Sequence, residues 1–237
     1  MVFSVIGMEH ILFNISAILD VAKKKFKAGD TVAIELTPET VSNYILIDKI
    51  IKGESISKLD VDRLFPHESK FKQALMSFVN QGVSLEKYNL DRRRLQAQFL
   101  NPEYLLVSGL GEMGIKVVGI ESLYAATFAK KHRARSFPRL NNFKEFLEFI
   151  RPSLGKFVDI PIREDHFIRE IKKRPNLSGA LVGATHSATL AKALKKSGLR
   201  VNHVHVIFPG HHAGFRLARL QGAISRIAFK FVRKKGK

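Results

Sequence analysis

The chain has 237 residues, of which 45% are hydrophobic and 26% charged, ordinary globular proportions that exclude wholesale disorder and collagen-like repeats. It contains no cysteine, which excludes disulfides, thiolate metal sites and thiol nucleophiles. Forty Lys and Arg stand against 21 Asp and Glu, a formal net charge of +19.

The first recognisable unit is strand, helix, strand. Val2–Ile6 is a short apolar run that predicts a buried strand. Ile11, Leu12, Ile15, Ile18, Leu19 and Ala22 then recur at helical spacing, and Lys23–Lys27 supplies a basic last turn. Ala28-Gly29-Asp30 reads as a cap and turn before a second strand, Thr31–Leu36. A crossover of this length implies a parallel pair. Residues 38 to about 113 read as a helical insertion, with helices opened by Pro38 (to about Ile51), Pro66 (to about Asn80) and Asp91 (toward Leu106). Ile115–Ile120 is a third strand. Basic residues interrupt the pattern from Lys130 to Arg139, and helices follow near Asn142–Ile150 and Ile162–Lys173. Gly179–Val182 is a fourth strand, His186–Ser197 a helix and Arg200–Phe208 a fifth strand. Ala213–Val232 closes the chain as an amphipathic helix, part of a basic segment over about 213–235. The expectation is one α/β domain with a mixed, mostly parallel sheet.

Two halves of this pattern echo each other. Val5-Ile6-Gly7-Met8-Glu9-His10 follows a strand, opens a helix with a lysine-rich end, and leads through a glycine turn to another strand. Val182-Gly183-Ala184-Thr185-His186 does the same, through Lys195-Lys196 and Ser197-Gly198. In open α/β sheets ligands collect beyond the carboxyl ends of the strands, where His10, His186, Glu35 and Glu121 all fall. Glu35 ends an apolar Val-Ala-Ile-Glu-Leu run, and a carboxylate buried there needs a cation, a metal or a proton relay. Taken singly, each histidine is better read as capping its helix, and Glu35 as pairing with a buried Arg. Their equivalent placement favours a shared site, either a divalent metal that activates water or paired acid–base catalysis.

Two Gly-x-x-His motifs, a Glu on the strand after the first, and the helix segment Arg163-Glu164-Asp165-His166-Phe167-Ile168 before the second carry a family likeness. In these features the sequence resembles the TraB/Tiki superfamily, which takes in pheromone-shutdown TraB-like proteins, Tiki proteases and erythromycin-esterase-like and ChaN-like relatives. The resemblance implies an α/β core of two related halves and a metal-dependent hydrolase, with a peptidase as one form and peptides or esters as substrates. It implies His10, His186 and Glu35 as ligands of a divalent metal, Glu35 also as a base, and Arg163 as an oxyanion or carboxylate clamp. The hydrophobic anchors of membrane-bound members have no counterpart in these residues.

Other signals point elsewhere. Residues 1–150 hold 21 basic and 17 acidic side chains, whereas 151–237 hold 19 and 4, and none of the four lies beyond Glu170. This asymmetry suggests a second reading, a non-enzymatic module that docks nucleic acid or an anionic membrane through residues 171–237. His203 and His205 share one face of a strand, a secondary metal candidate with His211 and His212 close behind. Gly109-Leu-Gly-Glu-Met-Gly114 fits the dinucleotide pattern in letters only, since it runs into a strand instead of a helix; a flexible turn is expected there. No apolar run reaches the roughly 18 residues of a membrane span. The start lacks a basic n-region, and Glu9 and His10 interrupt it. A cytoplasmic protein, with peripheral membrane association as the variant, is the expectation.

Overall fold

The computed structural model describes residues 2–8, 14–52, 54, 56–64, 70–81, 101–122 and 160–206. His10, His211, His212, the basic stretch 130–139 and the helices expected near 142–150 and 213–232 lie outside the described residues. In chain order the elements are β1 (Phe3–Met8), α1 (Ile15–Lys25), β2 (Thr31–Ile34), α2 (Pro38–Lys52), α3 (Lys58–Leu64) and α4 (Lys70–Gln81). Then come α5 (Pro102–Glu112), β3 (Lys116–Gly119), a helix over 160–172 (α6), β4 (Leu177–Gly183), α7 (Ala184–Lys196) and β5 (Val201–Val206).

The five strands form one sheet in the order β3-β2-β4-β1-β5, and every pairing is parallel. Parallel strands need helical crossovers, which cover both faces and leave each strand a continuous apolar run. β1 accordingly reads Phe-Ser-Val-Ile-Gly-Met and is buried at all six positions. On one face Ile6, Ile34 and Leu181 pack with Ile18 of α1 and Leu106 and Leu110 of α5. On the other, Val5, Ala180 and Val182 pack with Phe167 of α6 and Leu190 and Leu194 of α7. Fully burying a side chain of this size is worth about 1.5–3 kcal/mol, so each helix is held mainly by its apolar stripe. A third apolar cluster, around Ile47, Ile50, Val61 and Leu75, ties the insertion together.

The two strand-helix-strand units expected from the sequence are both present, and they are neighbours. β1 lies beside β4 in the register Gly7↔Val182 and Met8↔Gly183. Their crossovers leave on opposite faces, α1 toward β2 and α7 toward β5, which opens a crevice between the carboxyl ends of β1 and β4. The echo extends to the turns. Gly29 (φ +89°) and Gly198 (φ +91°) both take the left-handed conformation that glycine accepts without Cβ strain.

Two expectations in the insertion are corrected. The segment Gly109–Gly114 is mostly helix, not a flexible turn: α5 runs to Glu112, and the turn is confined to Met113 and Gly114. Gly109 is the point where α5 crosses α1, since a Cβ there would lie 2.6 Å from Leu19 Cδ1. The helix expected from Asp91 toward Leu106 is not continuous: residues 91–100 lie outside the described residues, Asn101 is extended (φ −114°, ψ 156°), and α5 starts after it at Pro102 because Asn101 caps it. The Asn101 side chain accepts the Tyr104 N–H at 2.7 Å, and Pro sits in the first turn, where no donor is missed. Among the described residues, no helix is long and apolar enough to cross a membrane.

Candidate active site at the carboxyl end of the sheet

Three strand ends and one helix bring charged side chains into a buried cluster. Glu35 follows β2, Glu121 follows β3, and His186 lies in the first turn of α7 after β4. Arg163 and Glu164 come from the first turns of α6, which descends along the sheet toward β4. All five are buried. Arg163 binds Glu121 with two parallel hydrogen bonds, Nε to Oε1 at 2.6 Å and Nη2 to Oε2 at 2.8 Å. The same Nη2 reaches Glu35 Oε1 at 2.5 Å, and Glu35 Oε2 accepts the Gly183 N–H at 2.6 Å. Phe167, one turn further along α6, places its ring 5.7 Å below the guanidinium and edge-on to His186 at 5.6 Å.

His186 sits between two carboxylates. Its Nδ1 is 3.4 Å from Glu164 Oε1 and its Nε2 is 3.7 Å from Glu35 Oε1. A carboxylate at one ring nitrogen holds the proton there and turns the other nitrogen into the acceptor. Electrostatically the cluster sets three carboxylates against one guanidinium. Burial pushes the Glu121 carboxyl above its usual range, Arg163 opposes that shift, and neighbouring Glu35 adds to it. One arginine charge shared by two carboxylates does not offset the desolvation of Glu121.

The sequence-predicted residues therefore divide. Glu35, Arg163, Glu121 and His186 come together, and His10 falls outside the described residues, two positions past the end of β1. The pairing of Glu35 with a buried arginine, one of the two possibilities its position raised, is what the structure shows. Arg163 clamps the protein's own carboxylates. Glu164 was missed as a site residue, although its signal is legible: it heads the stripe Glu164, Phe167, Ile171, which is buried throughout, so a carboxylate occupies a core position of α6. His203 and His205 lie on β5, opposite Val5 and Gly7 of β1. Their rings meet edge to face at 4.2 Å, and His205 Nδ1 is 3.4 Å from Ser187 Oγ. Gly7 makes room for this contact, because a Cβ there would lie 2.5 Å from Ser187 Oγ and 2.6 Å from His205 Nδ1.

Metal ligation can be tested against this geometry. Arg163 fills the space between Glu35 and Glu121 that a shared ion would need. Among the described residues no group of three or more His, Asp or Glu side chains is arranged to hold an ion. The described donors thus do not form a metal shell by themselves. Comparison with protein-family models, curated proteins and solved structures returns no match.

Proposed function

We propose that the chain is a TraB/Tiki-like hydrolase that cleaves peptide or ester bonds in the crevice between β1 and β4. The observation that carries this reading is the side-by-side register of the two Gly-x-x-His strands, with His186 held between Glu164 and Glu35. Glu164 keeps a proton on Nδ1, so Nε2 takes the proton of an attacking water. The hydroxide adds to the substrate carbonyl, and the imidazolium returns its proton to the leaving amine or alkoxide as the C–N or C–O bond breaks. Arg163 orients Glu35 and Glu121 and is a positioning residue in this scheme. The resemblance also implies a divalent metal; with His10 and His186 as its donors, His186 Nε2 would ligate the ion instead of taking the proton, since a neutral imidazole offers one lone pair.

The test is hydrolysis of a panel of peptides and aryl esters by the purified chain, by His186→Ala and by His10→Ala, with metal content measured on each. Loss of a general base costs about 10²–10⁴ in rate, so His186→Ala should fall at least 100-fold. Unchanged hydrolysis in that variant would sink the proposal. One divalent ion per chain, lost in both variants, would make the two histidines metal donors. Hydrolysis by metal-free protein would leave water activation to His186 and its carboxylates.

A further inference from the structure

At the opposite end of the sheet the molecule presents a basic floor. Each helix that follows a parallel strand returns to the strand starts, so α1, α6 and α7 all end there. Lys24 lies in the last turn of α1, Lys172 ends α6 and Lys196 ends α7, and all three are exposed. Helix ends alone do not account for the array. Lys27 precedes β2, Lys116 opens β3 with its side chain exposed, and Arg200 leads into β5, its carbonyl bonded to the Phe3 N–H. The register Thr31↔Lys116 and Phe3↔Val201 places these positions along one edge, across all five strands. With strands about 4.8 Å apart, that edge is roughly 20 Å wide.

We infer that this floor docks the phosphodiester backbone of a nucleic-acid duplex, without reading its sequence. The inference is independent of the proposed hydrolase, whose site lies at the other ends of the same strands. A whole-chain isoelectric point near 10.2 with lysines gathered on one face is the electrostatic footprint of a polyanion partner. Five of the six cations named are lysines, which supply point charges for phosphate oxygens, and the single arginine, Arg200, is the one planar fork of the kind that reads guanine edges. Phe3 and Phe26, the rings at this end among the described residues, are buried, so the described residues present no stacking platform for single-stranded bases. An anionic membrane is the weaker fit, since stable anchoring needs a second, apolar signal. Among the described residues this end exposes only Val2 and Leu199 as large aliphatics.

The experiment is titration of the full chain with a labelled 20-base-pair DNA duplex from 50 to 200 mM salt, beside vesicles containing phosphatidylserine. Six phosphate contacts predict about a 10³-fold loss of affinity over that range. Lys116→Gln/Lys196→Gln, which removes one charge toward each side of the floor, should make the log–log salt slope shallower by about two and weaken binding at least tenfold at 100 mM. The matched control Lys58→Gln/Arg63→Gln, on α3 of the insertion, should change affinity less than threefold. Equal weakening by both variants, no duplex binding at 50 mM, or binding to vesicles without binding to duplex would each overturn the inference.

Discussion

The two ends of the sheet handle charge in opposite ways. At the carboxyl end Glu35, Glu121, Glu164, Arg163 and His186 are buried and bonded to one another. At the amino end Lys24, Lys116 and Lys196 are exposed, and among the described residues none forms an ion pair. A buried charge must be matched within the fold or it costs several kcal/mol, whereas a solvated one is nearly neutral to stability. The first arrangement therefore belongs to the fold and its chemistry, and the second is open to a partner.

That contrast predicts a graded series of effects. Arg163→Ala leaves Glu35 and Glu121 buried without their guanidinium and should cost about 3–5 kcal/mol in denaturant unfolding at neutral pH. A loss below about 1 kcal/mol would mean that the cluster is hydrated, and the contrast would fail. Gly119→Ala comes next. A Cβ there would stand 2.5 Å from the Thr37 carbonyl carbon and 2.6 Å from the Leu36 oxygen, backbone that cannot step aside, so about 1–3 kcal/mol should be lost. By comparison Gly111→Ala, in the α5 helix with open space around it, should gain about 0.5–1 kcal/mol.

The pH dependence gives a subtler separation. Glu121 titrates above its ordinary 4.5 in the folded state because burial disfavours its charge. The folded protein therefore binds that proton more tightly than the unfolded chain does. The stability contributed is fully present below about pH 4.5 and is lost as pH rises through the raised value. Stability curves of wild type and Glu121→Gln from pH 4 to 7 should converge or cross in that direction, the wild type's relative advantage shrinking as pH rises. A difference that grows with pH would show that Arg163 outweighs burial at this carboxyl. The smallest effect belongs to the floor: Lys24→Ala/Lys196→Ala should move stability by about 0.5 kcal/mol or less, whatever it does to polyanion binding.

Much of the fold was legible because its signals are local. The apolar runs of β1 and β4, the helical stripe of α1, and the glycine turns at 29 and 198 each specify their element within a few residues. The Gly-x-x-His echo also pointed to the crevice, since position relative to a strand end is a local property. α5 was harder. Its glycines suggest a turn, but packing of Gly109 against Leu19 of α1 overrides that propensity. Glu164 was overlooked because an acidic residue in a charged stretch reads as solvated until the burial of Phe167 and Ile171 shows which face of α6 it shares.

From the sequence alone came the α/β class, the two related halves, the excess of positive charge and the candidates Glu35, Glu121, Arg163 and His186. Only the tertiary structure decided how they combine. Arg163 meets Glu35 across 128 positions and Glu121 across 42, and His186 is turned between Glu164 and Glu35 by the packing of α6 against α7. Such pairings depend on strand order and helix placement, which periodicity does not encode. The gathering of lysines from separate crossovers onto one floor is likewise a consequence of parallel winding, because every crossover helix must return to the end where the next strand begins.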